Sequence, residues 1–195
     1  MDQQTDEWHE LRRPCITASR TLEIIKLSKG YARQKRKEID EGKVRRFSND
    51  ATRWGNRNEP KADALYRLKR DIDTEACGFV ISVEFPYFGA SCDRSVGIDG
   101  LTEIKCPYLQ SNFEAFNFSI PDQYMAQMQG QLFVTGRKWC DFVGFDPRQK
   151  IENRLFVKRI YPEEEWIEKI RHAVPYFWEH YIVNDFDDMK IPQLF

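Results

Sequence analysis

The sequence predicts an α/β fold, in which helices cover a β-sheet. The first observation is a set of short runs rich in Val, Ile, Phe and Tyr, a composition typical of strands. These runs are residues 79–92, 101–106, 139–145 and 154–160. The second observation is that segments with apolar side chains at helical spacing precede, separate and follow them. With 195 residues, 41% of them hydrophobic, the chain is predicted to form a single domain, 1–195, around one substantial core.

Two helices are predicted in the first part of the chain. The first follows "CITAS", where Thr17 and Ser19 are good N-cap residues for the apolar stripe that comes next. The second covers residues 49–71, with Gly55 and Pro60 as candidate break points.

Two further helices are predicted in the second half. The segment 121–136, "PDQYMAQMQGQLFVTG", begins with Pro and Asp and ends in Gly, which are start and stop signals of a helix. The segment from Pro162 to about Val183 is rich in Glu and aromatic residues and predicts a final long helix.

The cysteines and the apolar runs exclude several classes of protein. Five cysteines are widely spaced without a C-x-x-C pair, so a disulfide framework or a zinc or iron–sulfur site is disfavoured, and reduced, mostly buried thiols are expected. The apolar runs are short, and the start "MDQQTDEWHE" lacks the regions of a signal peptide. The sequence therefore predicts a soluble intracellular protein without a membrane span.

The net charge of -1 hides an uneven distribution along the chain. The segment 31–46, "YARQKRKEIDEGKVRR", is basic, whereas the stretch 161–190 is acidic. A solvated helical face explains a charged run of this kind. A surface that faces phosphate groups explains the basic segment equally well, so both interpretations stay open.

The stretch "GLTEIKCP", residues 100–107, contains the candidate catalytic residues. Side chains alternate along a strand, so Glu103 and Lys105 emerge on the same face. Asp93 ends the preceding strand, and "RSVGIDG" between them has the glycines and the aspartate of a turn. A hairpin here would bring Asp93 beside Glu103.

Such a group of side chains suits phosphodiester hydrolysis. Two adjacent carboxylates repel each other unless a cation lies between them, and hard oxygen ligands favour Mg²⁺ or Mn²⁺. Lys105 could then help to deprotonate a water molecule, or stabilise the negative charge that develops on a phosphate. The acid–x–Lys spacing alone carries no weight, because Glu41, Glu59 and Asp188 also precede a lysine by two positions.

Several blocks of this sequence resemble the phage lambda exonuclease family of YqaJ-like viral recombinases. They are "EWHELRRPCITAS" (7–19), "WGNRNEPKA" (54–62), "SCDRSVGIDGLTEIKCP" (91–107), "YMAQMQGQLFVTG" (124–136) and "GFDPRQK" (144–150), in the family's order. The family is a branch of the PD-(D/E)XK nucleases. The resemblance implies a restriction-endonuclease-like core, with a mixed central β-sheet flanked by helices.

The resemblance also implies roles for the residues of the central block. Asp93 and Glu103 would bind Mg²⁺, for which Mn²⁺ is expected to substitute, with the main-chain carbonyl of Ile104 as a further ligand. Lys105 would be the active-site lysine. Cys92 stands where the family has proline, which removes only a rigid φ before the aspartate.

Asp99 is an alternative to Asp93 as the first metal ligand. It lies in "IDGL", which locally mimics the family's "PDGL". Asp99 lies only four residues before Glu103, which is too few to complete a turn and return as a paired strand, so Asp93 is favoured.

Further roles fall on the other blocks. Glu59 resembles an additional acidic residue near the metals, and Gln127 a helix glutamine that completes the active site. A solvated helix also explains Glu59, and a wet helix face explains Gln127 together with Gln123 and Gln131. In the first block, Arg12 and Ser19 match family positions that receive the terminal 5'-phosphate of the DNA end, so the resemblance implies the same role for them.

The resemblance implies a metal-dependent 5'-to-3' exonuclease that digests one strand of linear double-stranded DNA from its end. The remaining 3' single strand would serve recombination by a single-strand annealing protein. The family also implies a ring-shaped homotrimer, and an origin in a phage or a prophage inside a bacterial host. Two alternatives stay open: a non-catalytic DNA-end-binding recombination scaffold, and an endonuclease of the same fold.

Overall fold

The structure is a computed structural model and describes residues 5–42 and 49–184. Part of the basic segment, 43–46, and part of the acidic stretch, 185–190, lie outside the described residues.

The described strands form two sheets. They are β1 (Ile16–Thr17), β2 (Glu75–Ala76), β3 (Phe79–Ile81), β4 (Phe88–Ser91), β5 (Arg94–Val96), β6 (Gly100–Lys105), β7 (Trp139–Phe145) and β8 (Leu155–Ile160). One sheet has the order β1-β4-β3, and the other has the order β2-β5-β6-β7-β8. Both sheets are mixed, because β1 pairs with β4 and β6 pairs with β7 in parallel, while the remaining pairs are antiparallel.

Helices pack on these sheets. They are α1 (Asp6–Arg12), α2 (Thr21–Ile25), α3 (Lys29–Glu41), α4 (Asp50–Arg70), α5 (Gln110–Ala115), α6 (Asp122–Thr135) and α7 (Glu164–Phe177). The helix α7 continues as a π-helix, Trp178–Val183. The α/β class and the mixed sheet flanked by helices are therefore confirmed.

Three of the predicted strands match β6, β7 and β8 closely. The run 79–92 differs, because it folds into two strands, β3 and β4, that pair antiparallel. Between them, Phe88 N donates to Phe85 O (2.8 Å) and Ser82 N donates to Phe88 O (2.8 Å), which closes a turn around Pro86. Proline lacks the N–H that a continuous strand would need at this point.

The second predicted helix is a single helix, α4. Asn49 caps its start by accepting a hydrogen bond from Thr52 N (2.8 Å). Pro60 and Asn56 are both exposed. Pro60 lacks the N–H that would donate to the carbonyl of Asn56 in a regular helix. Because Asn56 is exposed, its carbonyl can bond to water instead, and the helix continues.

The expectation that Thr17 and Ser19 are N-caps is wrong. A 3₁₀ turn, Ala18–Arg20, precedes α2, and neither hydroxyl caps it. The two hydroxyls lie 3.1 Å apart and share a hydrogen bond instead.

Buried clusters on both faces of β6 hold the core together. Leu101 belongs to a cluster with Met128 and Leu132 of α6. Ile104, on the opposite face of the strand, belongs to a cluster with Tyr66 of α4. The alternation predicted for this strand is present, so its odd-numbered side chains face α6.

Glycine allows close approach within α6. A Cβ on Gly130 would lie 2.3 Å from Thr21 Oγ1 and 3.1 Å from Ala18 Cβ. The contact places α6 directly against the 3₁₀ turn that contains Ser19.

All five cysteines are free thiols, three of them buried and two half-buried. Within residues 5–42 and 49–184, no helix has the length and apolar character needed to cross a membrane.

Candidate active site

The hairpin of β5 and β6 brings Asp93 beside Glu103. The pairing matches Arg94 with Thr102, and Asp93 N donates to Thr102 O (3.2 Å). The carboxylate of Asp93 accepts a hydrogen bond from Ile104 N, with a distance of 2.5 Å. The two carboxylates therefore meet where the hairpin strands end.

Asp99 lies elsewhere, at the tip of the hairpin. Its carboxylate pairs with Lys138 Nζ at 3.1 Å, and its carbonyl accepts a hydrogen bond from Lys138 N (2.9 Å). Arg137 adds donors to the carbonyls of Gly97 and Gly100. Asp99 thus helps to hold the turn, and the structure places Asp93 rather than Asp99 next to Glu103.

Glu103 is buried, with 1% of its surface exposed, and both of its carboxylate oxygens are hydrogen-bonded. Oε1 accepts from Lys105 Nζ (2.5 Å) and from Gln127 Nε2 (2.6 Å). Oε2 accepts from Gln131 Nε2 (2.6 Å). The interpretation of the glutamine row as a wet face is therefore wrong for Gln131, which is fully buried.

Lys105 is the cation of the cluster. Burial alone would lower its pKa, but the charges of Glu103 and Asp93 raise the pKa of Lys105 above its ordinary value. Its ammonium group also lies 4.9 Å from the ring centroid of Tyr124. The lysine is therefore positively charged at neutral pH.

Asp93 is in an unfavourable place for a negative charge. Burial and the neighbouring charge of Glu103 raise the pKa of Asp93 well above its ordinary value, although Lys105 opposes the shift. A divalent cation would relieve this cost, since it neutralises both carboxylates.

Glu59, on α4, lies at the edge of the same cluster. Its carboxylate is 3.8 Å from Arg94 Nη1, and the same guanidinium binds Asp63 at 3.1 Å. Burial raises the pKa of Glu59, Arg94 opposes the shift, and the charge of Glu103 adds to it. The structure thus brings Glu59 within electrostatic reach of the carboxylate pair.

The donor set fits a hard divalent cation. Asp93 and Glu103 supply carboxylate oxygens, and the carbonyl of Ile104 belongs to the same segment. Among the described residues, no group of three or more Asp, Glu, His or Cys side chains is arranged to hold a metal unaided.

A second feature is a pocket of about 330 Å³ near the amino-terminal segments. Its lining residues are Arg12, Thr17, Ser19, Arg20, Tyr31, Gln34, Lys35 and Glu38. Both residues expected to receive a terminal phosphate, Arg12 and Ser19, therefore line one pocket. The sequence analysis did not predict that Arg20 and Lys35 line this pocket. The basic run around Lys35 is the signal that could have identified Lys35.

The pocket carries a local excess of positive charge. Lys35 is buried, donates to Arg12 O (3.3 Å) and lies 3.6 Å from Glu38. Burial lowers the pKa of both Lys35 and Arg12, which indicates that their charges are incompletely solvated. Three cationic side chains therefore surround one carboxylate, an arrangement that favours an anion.

Tyr31 forms the wall of this pocket. Its hydroxyl accepts a hydrogen bond from Thr17 N (3.3 Å), and the Arg20 guanidinium lies 4.8 Å from its ring centroid. Burial raises the pKa of Tyr31 to about 12, so the hydroxyl is neutral at physiological pH.

The pocket and the carboxylates lie at the same edge of the three-stranded sheet. Parallel pairing aligns Ile16 with Phe88 and Thr17 with Gly89. Ser19 follows β1, and Asp93 follows β4, so both leave the sheet in the same direction. Trp8 adds a direct link, since its Nε1 donates to Ser91 Oγ (3.0 Å) while the Arg12 guanidinium lies 4.9 Å from the indole centroid.

A mixed sheet flanked by helices, with an aspartate, a glutamate and a lysine on one hairpin, defines the class of proteins with a restriction-endonuclease-like core. The model of the YqaJ-like viral recombinase domain matches residues 7–138, and the chain belongs to this family. The resemblance stated from the sequence is thereby confirmed.

Solved structures agree with this assignment. An alkaline exonuclease from Laribacter hongkongensis, LHK-Exo, is 32% identical over 90% of this chain and 91% of its own, with a TM-score of 0.83. The structure of LHK-Exo in complex with dAMP gives a TM-score of 0.82 at the same identity and coverage. A phage-related exonuclease from Haemophilus somnus 129PT is 19% identical over 86% of this chain and 93% of its own, with a TM-score of 0.65, and shows the fold alone. A search of curated proteins found no match.

Proposed function

We propose that this protein is a metal-dependent 5'-to-3' exonuclease that digests one strand of linear double-stranded DNA from its end and leaves 3' single strands for recombination. The observation that carries the proposal is that Asp93, Glu103 and Lys105 converge at one end of the β5–β6 hairpin. A binding protein gains nothing from adjacent carboxylates beside phosphate groups, because they repel the DNA backbone.

Asp93 and Glu103 are the proposed ligands of Mg²⁺ or Mn²⁺, with the Ile104 carbonyl. A divalent cation bound here would neutralise the carboxylates and activate a water molecule for attack on phosphorus. Glu59 adds a further carboxylate at the rim, where Arg94 holds it.

Lys105 is proposed to stabilise the phosphate rather than to act as a base. Its pKa is raised by Glu103 and Asp93, so it carries a positive charge at neutral pH. A positive charge placed beside a phosphate oxygen stabilises the charge that develops during attack. Gln127 fixes the direction of this lysine, since its amide contacts both Lys105 Nζ (3.4 Å) and Glu103 Oε1 (2.6 Å).

The amino-terminal pocket is the proposed receptor of the terminal 5'-phosphate. Arg12 supplies a guanidinium, and Ser19 supplies a hydroxyl and the start of a helical turn. Lys35 and Arg20 increase the positive potential there. Because this pocket lies at the same sheet edge as the carboxylates, a 5' end held in it would bring a nearby phosphodiester toward them.

Relatives support the same activity. LHK-Exo is described as an alkaline exonuclease, and it has been solved with dAMP bound. A deoxynucleoside 5'-monophosphate is the product of an exonuclease that leaves the phosphate on the 5' carbon of each released nucleotide, so dAMP supports exonuclease chemistry. The annealing partner and the homotrimer belong to this proposal through the family resemblance.

The decisive experiment is digestion of a linear duplex that carries a label at either the 5' or the 3' end of one strand. With Mg²⁺, we expect early release of the 5' label as a mononucleotide and late release of the 3' label. Glu103→Gln should fold normally and release neither label. Earlier release of the 3' label would contradict the polarity.

Two controls separate the alternatives. A covalently closed circular duplex should remain intact, whereas an endonuclease of the same fold would cut it. A non-catalytic scaffold would retard linear DNA with or without Mg²⁺ and never shorten it.

A further inference from the structure

Gln131 lies beneath the active site, and its side chain makes two contacts. It is fully buried in α6, one helical turn after Gln127. Its Nε2 donates to Glu103 Oε2 (2.6 Å) and to Ser91 O (3.1 Å). One amide group therefore joins the helix to both β6 and β4.

The orientation of this amide is fixed by its neighbours. Both contacts are oxygens that only accept hydrogen bonds, so the NH₂ group must face them. The opposite atom, Gln131 Oε1, is buried and has no hydrogen-bond partner in the described structure. An unpaired buried acceptor costs stability, and an apolar side chain of the same length would avoid that cost.

The contact with Glu103 accounts for the presence of a glutamine. Gln131 holds Oε2 on the inner side, while Oε1 faces Lys105 and Gln127. Because Oε2 is hydrogen-bonded, the Glu103 carboxylate cannot rotate freely about its Cγ–Cδ bond. Oε1 therefore keeps a constant direction toward the site.

Resting on the proposed metal-dependent function, we propose that Gln131 is a positioning residue that locks the Glu103 carboxylate in its metal-binding orientation. Gln131 itself does not contact the metal or the DNA. The second hydrogen bond of Gln131 goes to the main-chain carbonyl of Ser91, in strand β4. The hydroxyl of Ser91 in turn accepts a hydrogen bond from Trp8, so the Gln131 amide is held by the sheet rather than by a loop.

The chain offers a matched control in Gln129. This residue is also a fully buried glutamine of α6, but its amide donates to Tyr161 O (2.9 Å) and accepts from Glu163 N (3.0 Å). Replacing it removes two buried hydrogen bonds without touching Glu103. A purely structural effect should therefore be at least as large for Gln129 as for Gln131.

The experiment compares Gln131→Met with Gln129→Met by Mn²⁺ binding in the absence of DNA. The electron paramagnetic resonance signal of free Mn²⁺ gives the affinity, and no turnover takes place. We expect Mn²⁺ to bind on the order of tenfold more weakly to Gln131→Met, because loss of a group that orients a metal ligand weakens affinity about 10- to 100-fold. Gln129→Met should keep the wild-type affinity even where its melting temperature falls further.

A second pair of variants, Gln131→Asn and Gln129→Asn, allows the same comparison if the methionine variants do not fold. Gln131→Asn keeps the polarity of the site but is one methylene too short to reach Glu103, and Gln129→Asn is its control. Gln131→Asn should weaken Mn²⁺ binding in the same direction, and the Mg²⁺ concentration for half-maximal digestion should rise in parallel.

Wild-type affinity in both Gln131 variants would overturn the positioning role while leaving the metal-dependent nuclease intact. Equal weakening in the Gln129 variants would also overturn it, because the effect would then be one of stability. A wild-type protein that neither binds Mn²⁺ nor digests linear DNA with Mg²⁺ or Mn²⁺ would overturn the proposed function and this role together.

Discussion

Asp93 and Glu103 place a half-buried and a buried carboxylate near each other, and Lys105 is the cation that balances them. One positive charge compensates only part of the repulsion, which is why the pKa of Asp93 stays raised. The repulsion between the two carboxylates therefore lowers the stability of the metal-free protein.

We predict that Asp93→Asn raises the melting temperature of the metal-free protein at pH 7 and abolishes hydrolysis. A carboxylate with a raised folded-state pKa opposes folding once it is ionised, and an amide removes that penalty while its oxygen can still accept from Ile104 N. Below about pH 4 the unfolded chain is protonated as well, so the gain should vanish there. Melting curves in EDTA at pH 7 and at pH 4 measure the stability gain and its disappearance.

Asp99→Asn is the control for this substitution. Asp99 pairs with Lys138 at the hairpin tip, so activity should be retained. Loss of activity in Asp99→Asn with full activity in Asp93→Asn would transfer the ligand role to Asp99.

We predict that Arg12→Ala slows digestion of 5'-phosphorylated duplex far more than digestion of 5'-hydroxyl duplex. A charge-assisted hydrogen bond is worth about 1.5–3 kcal/mol, which corresponds to roughly a 10- to 150-fold preference. Initial rates on the two substrates give the ratio. Arg13→Ala is the matched control, since Arg13 does not line the pocket and contacts Gly42 O; equal losses on both substrates in Arg12→Ala would remove the phosphate role.

The helix α6 contacts both the carboxylate cluster and the 3₁₀ turn of the pocket. Gln127 and Gln131 donate from it to Glu103, while Gly130 lies against Ala18 and Thr21. A change in the distance between α6 and the 3₁₀ turn should therefore affect the pocket before it affects the carboxylates.

We predict that Gly130→Ala destabilises the protein by about 1–3 kcal/mol, because the new methyl group meets Thr21 Oγ1 and Ala18 and must displace them. The preference for 5'-phosphorylated DNA should fall at the same time, because Ser19 lies within the displaced turn. Thermal unfolding and the ratio of the two digestion rates measure these effects.

Gly55→Ala is the opposite case on α4. A Cβ there meets nothing within 4 Å, so alanine should stabilise the helix, by up to about 1 kcal/mol. A loss of stability in Gly55→Ala, or none in Gly130→Ala, would contradict this account of the packing.

The elements that could be predicted are those with a strong local pattern. Alternation of side chains and the turn residues of "RSVGIDG" are sufficient to predict that Asp93 lies beside Glu103. Thr17 and Ser19 were misassigned as caps, because their hydroxyls bond to each other, and cap preference alone does not reveal that competition. The roles of the site residues remain predictions.

Other residues had no signal that a local pattern could supply. Gln131 shares its helical face with Gln123, which is exposed, and only the packing of α6 on β4 and β6 separates the two. The sequence indicates only that Lys35 belongs to a basic run with a solvated or a phosphate-facing surface, and the tertiary contact with Arg12 O places it in the pocket.

The charge of the whole molecule is close to balanced, so DNA binding depends on where the basic residues lie. In the described part, the basic helix α3 contributes Lys35 to the pocket, whereas α7 begins with Glu164 and Glu165. A ring of subunits with the basic side inward would place the basic surfaces around the duplex. Closed cyclic symmetry would prevent growth into filaments.

We predict a homotrimer in solution. Light scattering at micromolar protein and low salt should give three times the chain mass of 23.2 kDa. The measurement should be repeated with Glu103→Gln, which lies inside the protomer and should not alter assembly. A mass of one chain, together with processive digestion, would rule out the ring.

The parallel pairing of β1 with β4 has a consequence for the size of the digestion product. The segment that leads to the pocket and the segment that leads to Asp93 are joined by main-chain hydrogen bonds, which do not depend on the DNA sequence. If a 5' end rests in the pocket during each cycle, the number of nucleotides between that end and the cleaved bond is set by the backbone of the enzyme. Every cut should therefore remove a fragment of the same length, whichever bases it contains.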